Sequence, residues 1–205
     1  MNVLLVDNYD SFTYNVVHLL RDCGVAACTV RRNADLPAPG ALGEFDAVIA
    51  SPGPGLPADS GQLLAAVGGC LRLGVPYLGI CLGHQALAVA LGGALRQLAA
   101  VQHGVQDDCT PDVPHPLLAD LDLDAAGAFP VGRYHSWVVD EAVLPSRFVP
   151  LAKTADGVIQ VARVADAPAY GLQFHPESIM TAEAGPRLLR NFLALARASS
   201  PAADA

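Results

Sequence analysis

The segment GICLG at residues 79–83 constrains the fold of this chain more than any other feature. An apolar run at residues 75–80 leads into it and predicts a short buried strand. Apolar residues then recur at helical spacing until two glycines, at positions 92 and 93, end the pattern. A strand that turns sharply into a helix places Cys81 at a nucleophile elbow, where the helix N-terminus favours the thiolate. The alternative interpretation is a buried cysteine packed between two glycines.

A histidine and a carboxylate follow a second predicted strand, residues 170–174. His175 comes directly after the strand, and Glu177 comes two residues later. A carboxylate that holds an imidazole in one tautomer makes the histidine an oriented general base. The same pattern also fits a strand end closed by a histidine with an ordinary structural hydrogen bond.

The loop SPGPG at residues 51–55 follows a third predicted strand, residues 46–50. Such a loop can turn backbone N–H groups inward to form an oxyanion hole, although an ordinary Pro/Gly turn has the same composition. All three motifs lie at the C-terminal ends of predicted strands. Because these ends line one crevice in a parallel α/β sheet, we expect the loop to meet Cys81, His175 and Glu177 there.

Strand and helix patterns alternate along the chain, which predicts the α/β class. Further strands are predicted at residues 3–6, 25–30, 129–139 and 158–164. Helices are predicted at residues 11–23, 58–73 and 183–197, in addition to the one that follows Cys81. We therefore expect a single domain over residues 1–197, with a mostly parallel central sheet, helices on both faces and a few short additional strands. Small and polar residues at 198–205 predict a disordered tail.

Composition and charge argue against several classes of protein. The net charge of −8, with no basic run, argues against a nucleic-acid partner. The most apolar stretch, residues 63–83, is interrupted by Arg72 and Pro76, so we expect no membrane span. The N-terminus lacks the basic region of a signal peptide. Five cysteines at irregular spacing predict neither disulfides nor a zinc site, so we expect a cytoplasmic chain without a metal or cofactor.

Five segments, in order along nearly the whole chain, carry a family resemblance. They are residues 7–15, 51–55, 79–85, 133–136 and 171–178. The chain resembles the class I (triad) glutamine amidotransferases, in particular the glutaminase subunits of chorismate-using synthases. The segments around Cys81 and His175 are specific to the class, whereas the first and fourth segments indicate the chorismate branch.

The resemblance implies a role for each motif. Cys81 is implied as the nucleophile, His175 as the general acid and base, and Glu177 as its orienting partner. The other implied residues bind glutamine or stabilise the oxyanion, and they are Gly53, Pro54, Gly55, Leu82, Gln85, Ser136 and Trp137. The resemblance also places the loop at residues 8–12 near the synthase interface.

The implied function is hydrolysis of glutamine to glutamate and ammonia through a cysteine thioester, with ammonia passed to a chorismate-using synthase subunit. The implied partner is anthranilate synthase of tryptophan biosynthesis. Aminodeoxychorismate synthase of folate biosynthesis, or a subunit shared by both, stays open as an alternative. Any Mg²⁺ is expected in the synthase. One position departs from the family pattern, because Val105 stands where a lysine is common.

Two rival functions are distinguished by the motifs. An α/β-hydrolase with a cysteine nucleophile would run nucleophile, acid, histidine, whereas the order here is Cys81, His175, Glu177. A catalytically inactive binding subunit is the rival of another class. The intact set of three residues argues against it.

Overall fold

The computed structural model describes residues 1–181 and 183–199. Within them lie eleven strands: β1 (Asn2–Asp7), β2 (Ala27–Arg32), β3 (Ala47–Ala50), β4 (Tyr77–Ile80), β5 (Leu95–Gln97), β6 (Val105–Pro111), β7 (Phe129–Arg133), β8 (Trp137–Val139), β9 (Phe148–Thr154), β10 (Ile159–Val164) and β11 (Ala169–Leu172). The α-helices of the described part are α1 (Thr13–Asp22), α2 (Leu63–Leu73), α3 (Leu82–Ala90) and α4 (Ala184–Ser199).

One nine-stranded sheet dominates the fold, in the order β2-β1-β3-β4-β11-β10-β9-β6-β7, beside a two-stranded sheet of β5 and β8. The first five strands are parallel, as predicted. The other four pair antiparallel. The α/β class is therefore confirmed, but the additional strands make up four of the nine strands of the main sheet. Short loops suffice to join antiparallel strands, which explains why no helices separate β9 from β10.

Helices cover both faces of the parallel half, as predicted. Successive residues of β1 point to opposite faces, so Val3 and Leu5 join one buried cluster while Leu4 and Val6 join the other. The first cluster includes buried side chains of α1 and α4, and the second includes those of α2 and α3. Burial on both faces explains why these strands are continuous apolar runs in the sequence.

Several element bounds differ from the prediction. Helix α2 begins at Leu63 rather than residue 58, because Gly61 adopts a left-handed φ of +55° after a short 3-10 turn. The stretch 129–139 divides into β7 and β8, and the residues between them line a cleft. Helix α4 continues through Ser199, so the predicted tail is shorter than 198–205. Residues 200–205 lie outside the described part, and their predicted disorder stays a prediction.

The described residues include no helix that is both long and apolar enough to span a bilayer.

Candidate active site

Cys81 stands at the corner between β4 and α3, as predicted. Its φ of +51° is rare for a residue with a side chain and marks local strain of the kind that clusters at active sites. The backbone is held on both sides of the corner: the Cys81 N–H donates to Leu172 O at 2.7 Å, and its carbonyl accepts from Gln85 N–H at 3.1 Å. The sheet and the helix thus fix the direction of the thiol.

The two flanking glycines are required by the close approach of α3 to the sheet. A Cβ at Gly79 would overlap the backbone of Gly83. A Cβ at Gly83 would in turn lie 2.8 Å from the Cβ of Ala50 in β3. Only glycine at both positions lets the first turn of the helix lie directly on β3 and β4, which brings Cys81 to the sheet edge.

Gly79→Ala is expected to lower the free energy of unfolding by about 3 kcal/mol, because the added methyl meets backbone atoms that cannot move aside. Urea unfolding of the purified variant measures the change. Gly68→Ala in α2 is the matched control, since its Cβ meets only the far end of Arg72, at 3.3 Å. Alanine favours a helix over glycine, so the control should be at least as stable as the parent. Equal stability of Gly79→Ala and the parent would contradict the close approach.

His175 and Glu177 form a buried pair, with 2.7 Å between Nδ1 and Oε1. Their side chains are only 2% and 0% exposed. The backbone N–H of His175 donates to the Gly132 carbonyl at 3.0 Å, and the Thr181 hydroxyl donates to the backbone carbonyl of His175 at 2.6 Å. The histidine is therefore anchored by backbone contacts on one side and by the carboxylate on the other. Among the described residues, Nε2 has no hydrogen-bond partner.

The charge balance around His175 favours the imidazolium. Burial lowers the pKa of His175, but the Cys81 thiol and the Glu177 carboxylate together raise the pKa above its ordinary value of 6.5. Cys81 and Glu177 thus act on the same imidazole. An imidazolium beside a thiol is the arrangement that stabilises a reactive thiolate.

Aromatic rings hold the imidazole in place from the side of the 8–12 loop. The Phe12 ring lies edge-on to His175, with 5.5 Å between centroids, and the Tyr134 ring lies 4.9 Å away. Phe12 and Tyr134 also contact each other at 5.5 Å. The loop that the resemblance places near a synthase interface thus contacts His175 directly.

The SPGPG loop packs against the start of α3. A Cβ at Gly53 would lie 2.5 Å from Asn8 Cβ and 2.8 Å from Leu82 Cδ2, so this position also requires glycine. Asn8 secures the loop, because its backbone N–H donates to Ser51 Oγ at 3.0 Å and its side-chain amide donates to Ser51 O at 2.8 Å.

A polar cleft of about 230 Å³ opens where these elements meet. It is lined by predicted site residues, namely Gly53, Pro54, Gly55, Cys81, Gln85, Ser136 and Trp137. Leu56, Tyr134 and His135 line it as well and were not predicted as site residues. The Leu82 side chain lies beneath Gly53 rather than in the cleft. The SPGPG loop and Cys81 therefore meet at the cleft, whereas His175 and Glu177 are not among its lining residues. The His175 ring contacts Tyr134 of the cleft wall, with 4.9 Å between ring centroids.

The family model described as Glutamine amidotransferase class-I matches residues 4–196. The chain belongs to this family. A relative from Mycobacterium tuberculosis (strain H37Rv), named anthranilate synthase component 2, is 40% identical over 196 residues, covering 94% of this chain and 82% of the relative. A Bacillus subtilis relative, named aminodeoxychorismate/anthranilate synthase component 2, is 37% identical over 203 residues, covering 93% of this chain and 95% of the relative.

The fold of this amidotransferase also matches solved structures. The crystal structure of a glutamine amidotransferase from Thermotoga maritima superposes with a TM-score of 0.75 at 17% identity, covering 98% of this chain and 99% of that one. At this identity the match concerns the fold alone.

Two buried residues of this amidotransferase belong to the site and were missed by the sequence analysis. Gln173 donates from Nε2 to the Cys81 Sγ at 3.7 Å. His135 lies in the cleft wall and accepts at Nε2 from the Arg133 Nε at 3.4 Å. Burial first, and then the Arg133 charge, lower the pKa of His135 to about 3, so this imidazole is neutral. Gln173 lies within the segment 171–178 and His135 within the segment 133–136, and these two segments of the family resemblance were the available signal.

Residues 1–181 and 183–199 contain no group of three or more His, Cys, Asp or Glu side chains placed to hold a metal ion. The absence of a cofactor from the reaction stays a prediction.

Proposed function

We propose that this chain is the glutaminase subunit of a chorismate-using synthase, and that it hydrolyses glutamine and delivers the ammonia to the synthase subunit. The observation that carries the proposal is the strained Cys81 in a polar cleft, at the end of a strand whose neighbour leads to an imidazole paired with a fully buried carboxylate. Family membership and the names of the two relatives support the same conclusion.

The arrangement supports a two-step hydrolysis. The Cys81 thiolate attacks the side-chain amide carbon of glutamine and forms a tetrahedral oxyanion. Backbone N–H groups of Gly53, Gly55 and Leu82 are the donors proposed to stabilise it, each by about 3 kcal/mol. His175 gives its proton to the departing nitrogen, which leaves as ammonia, and a γ-glutamyl thioester remains. Water that loses a proton to His175 then cleaves the thioester, releasing glutamate and regenerating the thiol.

Gln85 is oriented to recognise the amino-acid end of glutamine. Its Nε2 donates to Trp137 O at 2.8 Å and to Gln173 Oε1 at 3.3 Å, which uses both N–H bonds of the amide. The carbonyl oxygen is then the polar atom left for a substrate in the cleft. An acceptor there suits the α-ammonium of glutamine, and Ser136 with Trp137 completes this end of the site.

Exposed apolar residues around the catalytic pair support a partner that covers the cleft. Tyr9, in the loop that contacts His175 through Phe12, is 53% exposed, and Ile179, two residues after Glu177, is 93% exposed. Anthranilate synthase is the proposed partner, with aminodeoxychorismate synthase, or both, as the alternative. A cytoplasmic location is proposed because the reaction needs a free thiol, and the five cysteines, all within the described part, are unpaired.

Reconstitution tests this proposal. The chain is mixed with an anthranilate synthase component 1 or with the synthase subunit of aminodeoxychorismate synthase, and product formation from chorismate and glutamine is followed. We expect glutamine-dependent anthranilate formation; formation of aminodeoxychorismate would support the alternative partner. A complex that assembles but releases no glutamate from glutamine would refute the glutaminase assignment and favour an inactive binding subunit.

A glutamine-like electrophile such as acivicin is expected to alkylate Cys81 ahead of the other four cysteines. Burial raises the pKa of Cys70 to about 12, and burial likewise raises the pKa of Cys109, Cys23 and Cys28. Peptide mapping by mass spectrometry identifies the labelled residue. Free glutamine should protect Cys81 alone. Earlier labelling of any other cysteine, or no protection by glutamine, would contradict the site.

A further inference from the structure

We infer that Gln173 is a catalytic residue that donates a hydrogen bond to the Cys81 sulfur and thereby stabilises the thiolate. The inference rests on the proposed function in one respect, since it takes Cys81 as the nucleophile. The direct observation is the 3.7 Å contact from Gln173 Nε2 to Sγ, between two buried side chains.

The backbone of Gln173 is fixed by the central sheet. The residue follows directly after β11, and its N–H donates to Gln160 O at 2.9 Å, which extends the β10–β11 pairing by one step. Its side chain is 0% exposed. A glutamine in such a place is held by its hydrogen bonds, because a buried amide without partners would be strongly unfavourable.

The direction of the hydrogen bond follows from a chain of hydrogen bonds that runs from Trp137 through Gln85 to Gln173. The Trp137 carbonyl can only accept, so the atom of Gln85 that lies 2.8 Å from it must be the amide nitrogen. The same nitrogen lies 3.3 Å from one atom of the Gln173 amide, which must therefore be the oxygen. The other end of that amide, at the Cys81 sulfur, is then an N–H donor.

A fixed N–H donor favours the charged form of its sulfur acceptor. Hydrogen bonds to charged groups are stronger than those to neutral groups, so the contact stabilises the thiolate more than the thiol. Unlike the imidazole of His175, the Gln173 amide neither gains nor loses a proton near neutral pH. Its N–H donor is therefore present in both steps of the reaction. The same chain of hydrogen bonds, through Gln173 and Gln85, joins Cys81 to Trp137 in the wall of the cleft.

Gln173→Met is the variant that tests the inference, because methionine has similar length but no N–H group. We expect the rate of Cys81 alkylation by iodoacetamide at neutral pH to fall about tenfold. The ultraviolet absorbance of the thiolate should fall in parallel, and kcat for glutamine hydrolysis should fall more than KM rises. Gln160→Met is the matched control: Gln160 is an equally buried glutamine on β10 whose side-chain amide donates to Thr154 Oγ1. It should keep the parent rates.

Folding and function are separated by further measurements. Should Gln173→Met fail to fold, Gln173→Glu keeps the oxygen that accepts from Gln85 and replaces the N–H with a second oxygen, and a loss of at least tenfold in alkylation rate is expected from it. A folded Gln173 variant that is alkylated and turns over at the parent rate would overturn the inference and leave Cys81 as the nucleophile. No release of glutamate from glutamine by the parent complex would instead overturn the proposed function. Retained glutaminase activity in Cys81→Ser would overturn Cys81 as the nucleophile, whatever Gln173 does.

Discussion

Cys81→Ser is expected to abolish glutamine-dependent synthesis by the reconstituted complex while ammonia-dependent synthesis continues at the parent rate. The serine hydroxyl is not ionised at neutral pH, so the thioester cannot form, and a loss of about a thousandfold or more is expected. Ammonia supplied in solution bypasses the glutaminase, because chorismate is aminated in the partner. The measurement is product formation with glutamine and, separately, with ammonium salts.

Cys28→Ser is the control for this experiment. Cys28 lies in β2, at the edge of the sheet and far along the strand order from β4. Its substitution should leave both activities unchanged. Loss of the ammonia-dependent activity in Cys81→Ser, in a complex that still assembles, would show that the division of labour between the two subunits is wrong.

His175→Ala is expected to reduce glutaminase turnover by about a thousandfold, and Glu177→Gln by clearly less. Alanine removes the acid and the base of both steps. Glutamine can still hydrogen-bond the imidazole, but it lacks the negative charge that raises the pKa of His175 and stabilises the imidazolium. Steady-state glutamate release by the purified complex measures both variants, and circular dichroism confirms that they are folded.

Equal losses in the two folded variants would indicate that Glu177 takes part in the proton transfers rather than orienting His175. Asp166→Asn is a suitable control for the loss of a carboxylate, because Asp166 pairs with Arg147 at an exposed position outside the cleft. It should leave turnover unchanged.

The parts of the fold that depend on local sequence were predicted well. The turn at Cys81 is one of these, because a buried apolar strand, two glycines and a helical repeat lie within about twenty residues of each other. The antiparallel half was underestimated for the opposite reason. Strand β6 is mostly exposed along its length and carries two adjacent aspartates, so it shows no clear alternation. Its place is set by pairing with β7 and β9, which are distant in sequence.

The difference between local sequence and long-range contacts also explains which site residues were predicted from the sequence and which were not. Cys81, His175 and Glu177 stand in short motifs whose chemistry is visible from residue type and spacing. The contact between Gln173 and Cys81 joins residues 92 positions apart, and Gln173 lies in a stretch that also fits an ordinary strand. His135 is similar, because its neutral state depends on burial and on Arg133, which in turn is paired with Asp107 and Asp156. Only the folded arrangement brings these contacts together.

Strands β4 and β11 are neighbours at the middle of the sheet, and this position affects how firmly the site is held against local unfolding. Their register sets Ile80 opposite Leu172, so the elbow and the His175 turn leave the sheet side by side, at a spacing fixed by inter-strand hydrogen bonds. Central strands are the last parts of a domain to open in local fluctuations. The spacing of Cys81 and His175 is therefore protected from local opening of the chain.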